Sequence, residues 1–134
     1  NMEGKYLKDI PSSIEFFALS QSDIITKLDL EYIPVSVKKL NIYRCNKIEI
    51  NDLIQLKNLN IELNFEDGNE YVTPLYLYCR ERMKEQVQYL LDKGANVNKS
   101  NDNGWNALHI ASRNGHLGIV KLLIKNGIDI NKVK

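Results

Sequence analysis

The sequence is poor in the residues that most active sites are built from. Its 134 residues include two cysteines, two histidines, three prolines and one tryptophan. Cys45 and Cys79 are far apart and match no metal spacing. They read as reduced, half-buried thiols of an intracellular, cytoplasmic protein (host cytoplasm if the source is a pathogen or virus), with a single disulfide as the alternative. No apolar run is long enough for a transmembrane span or a secretory signal. No Gly-x-x-x-x-Gly-Lys loop is present to cradle a phosphate; Gly115 and Gly118 stand alone after a helical stretch. An excess of one charge is also missing. Lys+Arg number 18 and Asp+Glu 17, a net charge of +1. That balance excludes a general attraction to nucleic acid or acidic lipid. His109 and His116 have no Cys or Asp pair at ligand spacing, so neither a metal nor another cofactor is expected.

What is present is repetition. The length suits one domain or two small ones, enough to bury a core. In residues 103–131, Gly104 permits a tight turn and Asn106 caps a helix opened by Ala107-Leu108. Asn114-Gly115 ends that helix. A second helix carries Ile119, Val120, Leu122, Leu123 and Ile124, and Asn126-Gly127 closes it. Ile128 and Ile130 then alternate with Asp129 and Asn131 in a short extended arm. The same pattern stands upstream by 33 residues: Thr73-Pro74-Leu75 matches Asn106-Ala107-Leu108, Val87 matches Val120, and Gly94 matches Gly127. Pro74 suits a first helical position. Helices are predicted over 74–81 and 84–93, with a polar turn at 66–70 and a polar hairpin tip at 99–103. A 33-residue turn–helix–helix period is a repeat signature.

These residues resemble the ankyrin family. The likeness rests on Gly104, Ala107-Leu108-His109, Ala111, Gly115-His116, Val120, Leu122-Leu123 and Gly127, with Thr73-Pro74-Leu75 and Gly94-Ala95-Asn96-Val97-Asn98 upstream. It covers residues 67–134 as two repeats, 67–100 and 101–134. Three departures mark the first repeat: Tyr76 for the family's histidine, Tyr78 for a small alanine, and Arg82-Met83 for Gly-His. They imply wider packing beneath Tyr78 and a non-standard neighbour before it.

Upstream the period changes. Ile10-Pro11-Ser12-Ser13-Ile14 recurs as Ile33-Pro34-Val35-Ser36-Val37, and Phe17 and Leu19 recur as Leu40 and Ile42. Leu-x-Leu cores suit short strands with alternate residues buried. Pro11 and Pro34 stand just before them, where they cost no ladder hydrogen bond. Ile25, Leu28 and Leu30 repeat the spacing, as do Leu56, Leu59 and Ile61, and Asn46 is placed to bond along a stacked turn. Residues 10–63 resemble short leucine-rich repeats. A rival reading makes residues 37–64 a degenerate first ankyrin repeat, with Leu53, Leu56 and Leu59 at helical spacing, and Asn60 in the place of Gly94. The two are compatible if strands hand over to helices in one solenoid, with the upstream part as a cap.

The expected fold is therefore α+β. It is a repeat solenoid with a flexible start (residues 1–9), a leucine-rich-like or capping segment (10–66) and two ankyrin repeats (67–134). Asn1 before Met2 is compatible with a tag remnant, and Lys134 falls where further repeats would begin.

Candidate chemistry weighs lightly. His109 and Ser112 are near enough on a helix for nucleophilic catalysis, but a packing slot explains Ser112 and the family's histidines make structural hydrogen bonds. Arg80 and Arg82 stand near Cys79 and would depress its pKa; packing on the next repeat is the plainer account. Lys38, Lys39, Arg44 and Lys47 with Tyr43 form a basic cluster, set against Glu49 and Asp52. Trp105 is the leading binding residue, since a tryptophan at a hairpin tip buries large area at low entropic cost. Packing on the neighbouring hairpin is its alternative. The family mapping adds Asp102, Asn103, Arg113 and Asn114, and one repeat earlier Asn69, Glu70, Val72, Arg80 and Glu81. The resemblance implies a non-catalytic scaffold that binds a partner protein through its concave groove and hairpin tips, with no small-molecule substrate and no membrane. The alternatives are the targeting part of a larger enzyme or ligase-recruiting protein, or a nucleic-acid-binding module.

Overall fold

A computed structural model describes residues 9–64 and 70–130 of the chain. Residues 1–8 of the start expected to be flexible, residues 66–69 of the expected turn (Asn69 among them) and Asn131 lie outside the described residues. Three short parallel strands, β1 (Phe16–Ala18), β2 (Lys39–Asn41) and β3 (Glu62–Asn64), form one sheet in chain order. Phe16 pairs with Lys39 and Lys39 with Glu62, steps of 23 residues each. Between strands the chain turns through 3-10 helices at Lys27–Tyr32 and Ile50–Gln55. Their starts are capped alike: the Thr26 N–H donates to Asp29 and the Glu49 N–H to Asp52. Gln21 and Arg44, also 23 residues apart, both take the left-handed conformation, with φ of 62° and 58°.

Side chains tie each coil to the next. Ser36 Oγ donates to the Ile14 carbonyl at 2.7 Å, Asn58 Nδ2 to that of Val37 at 2.9 Å, and Asn46 Nδ2 to Asp23 at 2.7 Å. Leu40, Ile42, Leu53, Ile61 and Leu63 fill the interior between sheet and 3-10 helices. Each buried aliphatic side chain contributes about 1.5–3 kcal/mol by leaving water. Two expectations are corrected here. Leu63, not Leu59, stands beside Leu40, because a coil of constant length sets the register. The stretch with Leu28 and Leu30 is a 3-10 helix rather than a strand, and Leu28 is exposed.

The helical half follows the 33-residue period. The helices are α1 (Pro74–Arg80), α2 (Lys84–Asp92), α3 (Ala107–Arg113) and α4 (Leu117–Lys125). Thr73 and Asn106 cap α1 and α3 by accepting from the N–H groups of Tyr76 and His109. Gly94, Gly115 and Gly127 end helices at positive φ. Arg82, the counterpart of Gly115, adopts the same conformation with φ 58°. No strand forms at residues 128–130; Ile128 is buried and Ile130 exposed.

The halves share one apolar core. At the seam Leu63 and Val72 exchange backbone hydrogen bonds of 2.7 and 2.9 Å. Tyr78 is fully buried, and its hydroxyl donates to the Ile50 carbonyl at 2.8 Å. Gln86 Nε2 donates to Asn51 Oδ1, and the Asn96 N–H to Asn60 Oδ1, both at 2.8 Å. The wider space beneath Tyr78 is thus the gap over a 3-10 helix, which an alanine would leave empty.

Candidate protein-binding surface

Trp105 sits at the base of a hairpin clamped by Asn101. The Asn101 N–H donates to the Trp105 carbonyl at 2.8 Å, and the Trp105 N–H donates back to Asn101 Oδ1 at 3.0 Å. Asn103 N–H shares that oxygen, and Asn101 Nδ2 reaches a Glu70 carboxylate oxygen, tying this hairpin to the preceding segment. The indole is half-buried, neither free nor lost in the core. Its centroid lies 5.0 Å from that of His109, and the Arg113 guanidinium lies 5.9 Å above its ring. Both alternatives for Trp105 therefore hold in part: one side packs, and the rest borders a tight cleft with no room for a water molecule.

That cleft is lined by Glu62, Tyr71, Thr73, Tyr76, Lys99, Ser100, Asn101 and Trp105. Lys39 Nζ lies 5.3 Å over the Tyr71 ring, so the outward face of the sheet continues into the cleft. Tyr71, Glu62 and Lys99 are not among the residues the sequence singles out, and Lys39 is read there only as part of a basic cluster. The 23-residue strand register, which turns Lys39 and Glu62 outward on either side of buried Leu40 and Leu63, is the signal that finds two of them.

The other mapped residues separate into groups. Asp102, Asn103, Arg113 and Asn114 are exposed around Trp105, with Asn114 also closing α3. Glu70 and Glu81 are exposed, and half-buried Arg80 bridges Glu81 at 2.9 Å. Val72 needs correction. It occupies the place of Trp105 one repeat earlier, but its bridge to Leu63 buries it, so it offers no side chain to a partner.

The basic cluster does not act as one patch. Lys38 pairs with Glu15 at 3.1 Å on an exposed surface, Lys39 covers Tyr71, and Arg44 Nε donates to the Tyr43 hydroxyl at 3.0 Å. The histidines are structural. The Asn106 N–H donates to His109 Nδ1 at 2.9 Å, which leaves the proton of the neutral ring on Nε2. His116 Nδ1 lies 2.9 Å from the Cys79 carbonyl, which only accepts, so there the proton is on Nδ1. Cys45 and Cys79 are both free and fully rather than half-buried. Burial pushes the Cys79 thiol up to about 12, opposite to the shift expected from its arginine neighbours. Burial is also the main cause that raises the Cys45 thiol and the Tyr78 hydroxyl. Among the described residues no group of three His, Cys, Asp or Glu is placed to hold a metal ion. Nor is any described helix long and apolar enough to cross a membrane.

A sequence model of the family described as "Ankyrin repeats (3 copies)" matches residues 42–134. The chain belongs to the ankyrin repeat family. Among its relatives is Notch-regulated ankyrin repeat-containing protein A of Danio rerio, 35% identical over 107 residues that cover 79% of this chain and 91% of that protein. NF-kappa-B inhibitor alpha of Sus scrofa is 35% identical over 92 residues, 64% of this chain and 28% of the inhibitor. Alpha-latroinsectotoxin-Lt1a of Latrodectus tredecimguttatus is 42% identical over 59 residues, 44% of this chain; the ankyrin chain described here spans only 4% of the toxin's length. The family match begins within the strand half, which carries β2, the second 3-10 helix and β3 in place of a helix pair. Ankyrin repeats point to protein partners.

Proposed function

We propose that this ankyrin repeat chain is a non-catalytic, intracellular interaction module that grips a partner protein along the groove and hairpin tips around Trp105. The observation that carries this reading is the Trp105 cleft. A half-buried ring lies against His109 and beneath Arg113, its backbone is clamped by Asn101, and Tyr71 and Lys39 extend the same face. Large rigid rings beside cations bury much area with little loss of freedom, as hot spots do. Asp102, Asn103, Asn114, Glu70, Arg80 and Glu81 form the polar rim, with Asn69 beside them in sequence. Segment 10–66 is, in this proposal, a leucine-rich-repeat-like cap that seals the start of repeats 67–100 and 101–134. Its support is the 23-residue strand step and the repeated 3-10 caps.

The test is a pull-down from native cell lysate with the parent and a Trp105→Ala/Arg113→Ala variant, both checked by circular dichroism. The proposal expects a protein retained by the parent and lost by the variant. Equal retention by both would overturn it. A second reading, that the chain is the targeting part of a larger enzyme or ligase-recruiting protein, fits its matching only 4% of the length of the toxin.

A further inference from the structure

The outer helices α2 and α4 carry a second surface, on residues apart from the Trp105 cleft. Their shared groove is lined by Lys84, Gln88, Gly118, Lys121, Leu122 and Lys125. The 33-residue period supplies an internal reference for it. Glu85 of α2 becomes Gly118 of α4, Gln88 becomes Lys121, and Asp92 becomes Lys125. The three positions change from two negative charges to two positive ones. Gly118 opens the groove: a Cβ built there would lie 3.5 Å from Lys84 Nζ, so the lysine of α2 reaches across to α4. Among the described residues, Lys84, Lys121 and Lys125 have no ion pair, and the lining holds no acid. Lys121 and Lys125, one turn apart, repel each other. Arg82 lines the adjoining hollow with Lys84, His116 and Gly118, and lengthens the cationic strip.

We propose that this groove docks an extended acidic segment of a partner protein. The cations are strung along a groove rather than converged on one point, as a single phosphate group would require. Leu122, half-buried in the lining, gives an apolar residue of the segment a seat between the charges. Oppositely charged segments are steered to such a strip and held in register by it. The proposal does not rest on the Trp105 groove.

The probe is a fluorescein-labelled peptide of alternating aspartate, glutamate and leucine, read by anisotropy at low ionic strength against the whole chain. Gly118→Glu restores the acid of the preceding repeat at a site with room for its Cβ, and it replaces a poor helix former, so the fold is kept. The proposal expects Gly118→Glu and Lys121→Glu/Lys125→Glu to weaken the peptide by about tenfold or more, with binding falling as salt rises. Trp105→Ala/Arg113→Ala should bind it as the parent does. An Asn/Gln version of the peptide binding equally would overturn the proposal. So would no binding by the parent, an unchanged Gly118→Glu, or a single-stranded RNA oligonucleotide that binds more tightly than the acidic peptide.

Discussion

The two helix pairs, α1–α2 and α3–α4, share a backbone plan but differ where their neighbours differ. Tyr78 of the first pair lies on a 3-10 helix and fills the gap with a ring whose hydroxyl finds the Ile50 carbonyl. Its counterpart Ala111 lies against α1, where close helix packing leaves no room for a ring. Cys79 is covered by the next repeat and fully buried, whereas its counterpart Ser112 is exposed. Leu91 packs against the core, while its counterpart Ile124 is half exposed. In a stack of repeats, identity at a position follows the unit above or below as much as the unit itself.

Tyr78→Ala is the strongest way to break the comparison. It should cost about 3–5 kcal/mol through the cavity it leaves, measured by urea denaturation. Tyr78→Phe should cost about 1 kcal/mol, the share of the hydroxyl alone. If the alanine variant is as stable as the parent, the seam is not packed as described.

Asn106→Ala follows at about 1–2 kcal/mol, since it removes the cap on the His109 N–H inside the core. The counterpart Thr73→Ala should cost a similar amount, and thermal melts of the pair check whether the two caps are equivalent. Next come Arg82 and Gly115, which share a left-handed backbone. Gly115→Arg should destabilise by about 1 kcal/mol, whereas Arg82→Gly should be neutral or slightly stabilising because the strain it relieves offsets the entropy it adds. A clear loss of stability in Arg82→Gly would show that the arginine makes contacts worth keeping.

The smallest effect is in pH. Burial raises the Cys79 thiol in the folded chain to about 12 from an ordinary value of 9.0. The folded state therefore holds its proton more tightly than the unfolded state. The corresponding stability is complete below pH 9 and is lost as pH rises toward 12. Urea midpoints should fall between pH 8 and pH 10, and less steeply in Cys79→Ala. A residual slope should remain, because burial raises Cys45 and Tyr78 in the same direction.

The helical half was open to reading because its signals are local. Thr73, Asn106, Gly115 and Gly127 act on their own turns: α1 and α3 begin directly after Thr73 and Asn106, α3 and α4 end just before Asn114-Gly115 and Asn126-Gly127, and α1 and α2 end one residue short of the expected 81 and 93. The basic cluster, Val72 and the third strand were obscure because tertiary partners decide them. Lys39 faces Tyr71, Val72 is buried by Leu63, and Leu63 rather than Leu59 is fixed by the length of a coil. Trp105 stood out in the sequence as a candidate, but its half-packed ring did not, since the Asn101 clamp joins residues across the hairpin.

The central claim is that strand coils and helix pairs share one core. Native-state hydrogen exchange in rising urea tests it directly, comparing the amides of Leu63 in β3, Leu77 in α1 and His116 beside α4. One core predicts that the three converge on a single opening free energy, and that Tyr78→Ala lowers all of them together. If Leu63 opens at its own lower free energy and ignores Tyr78→Ala, the strand half is a separate unit and the seam described here does not hold the molecule together.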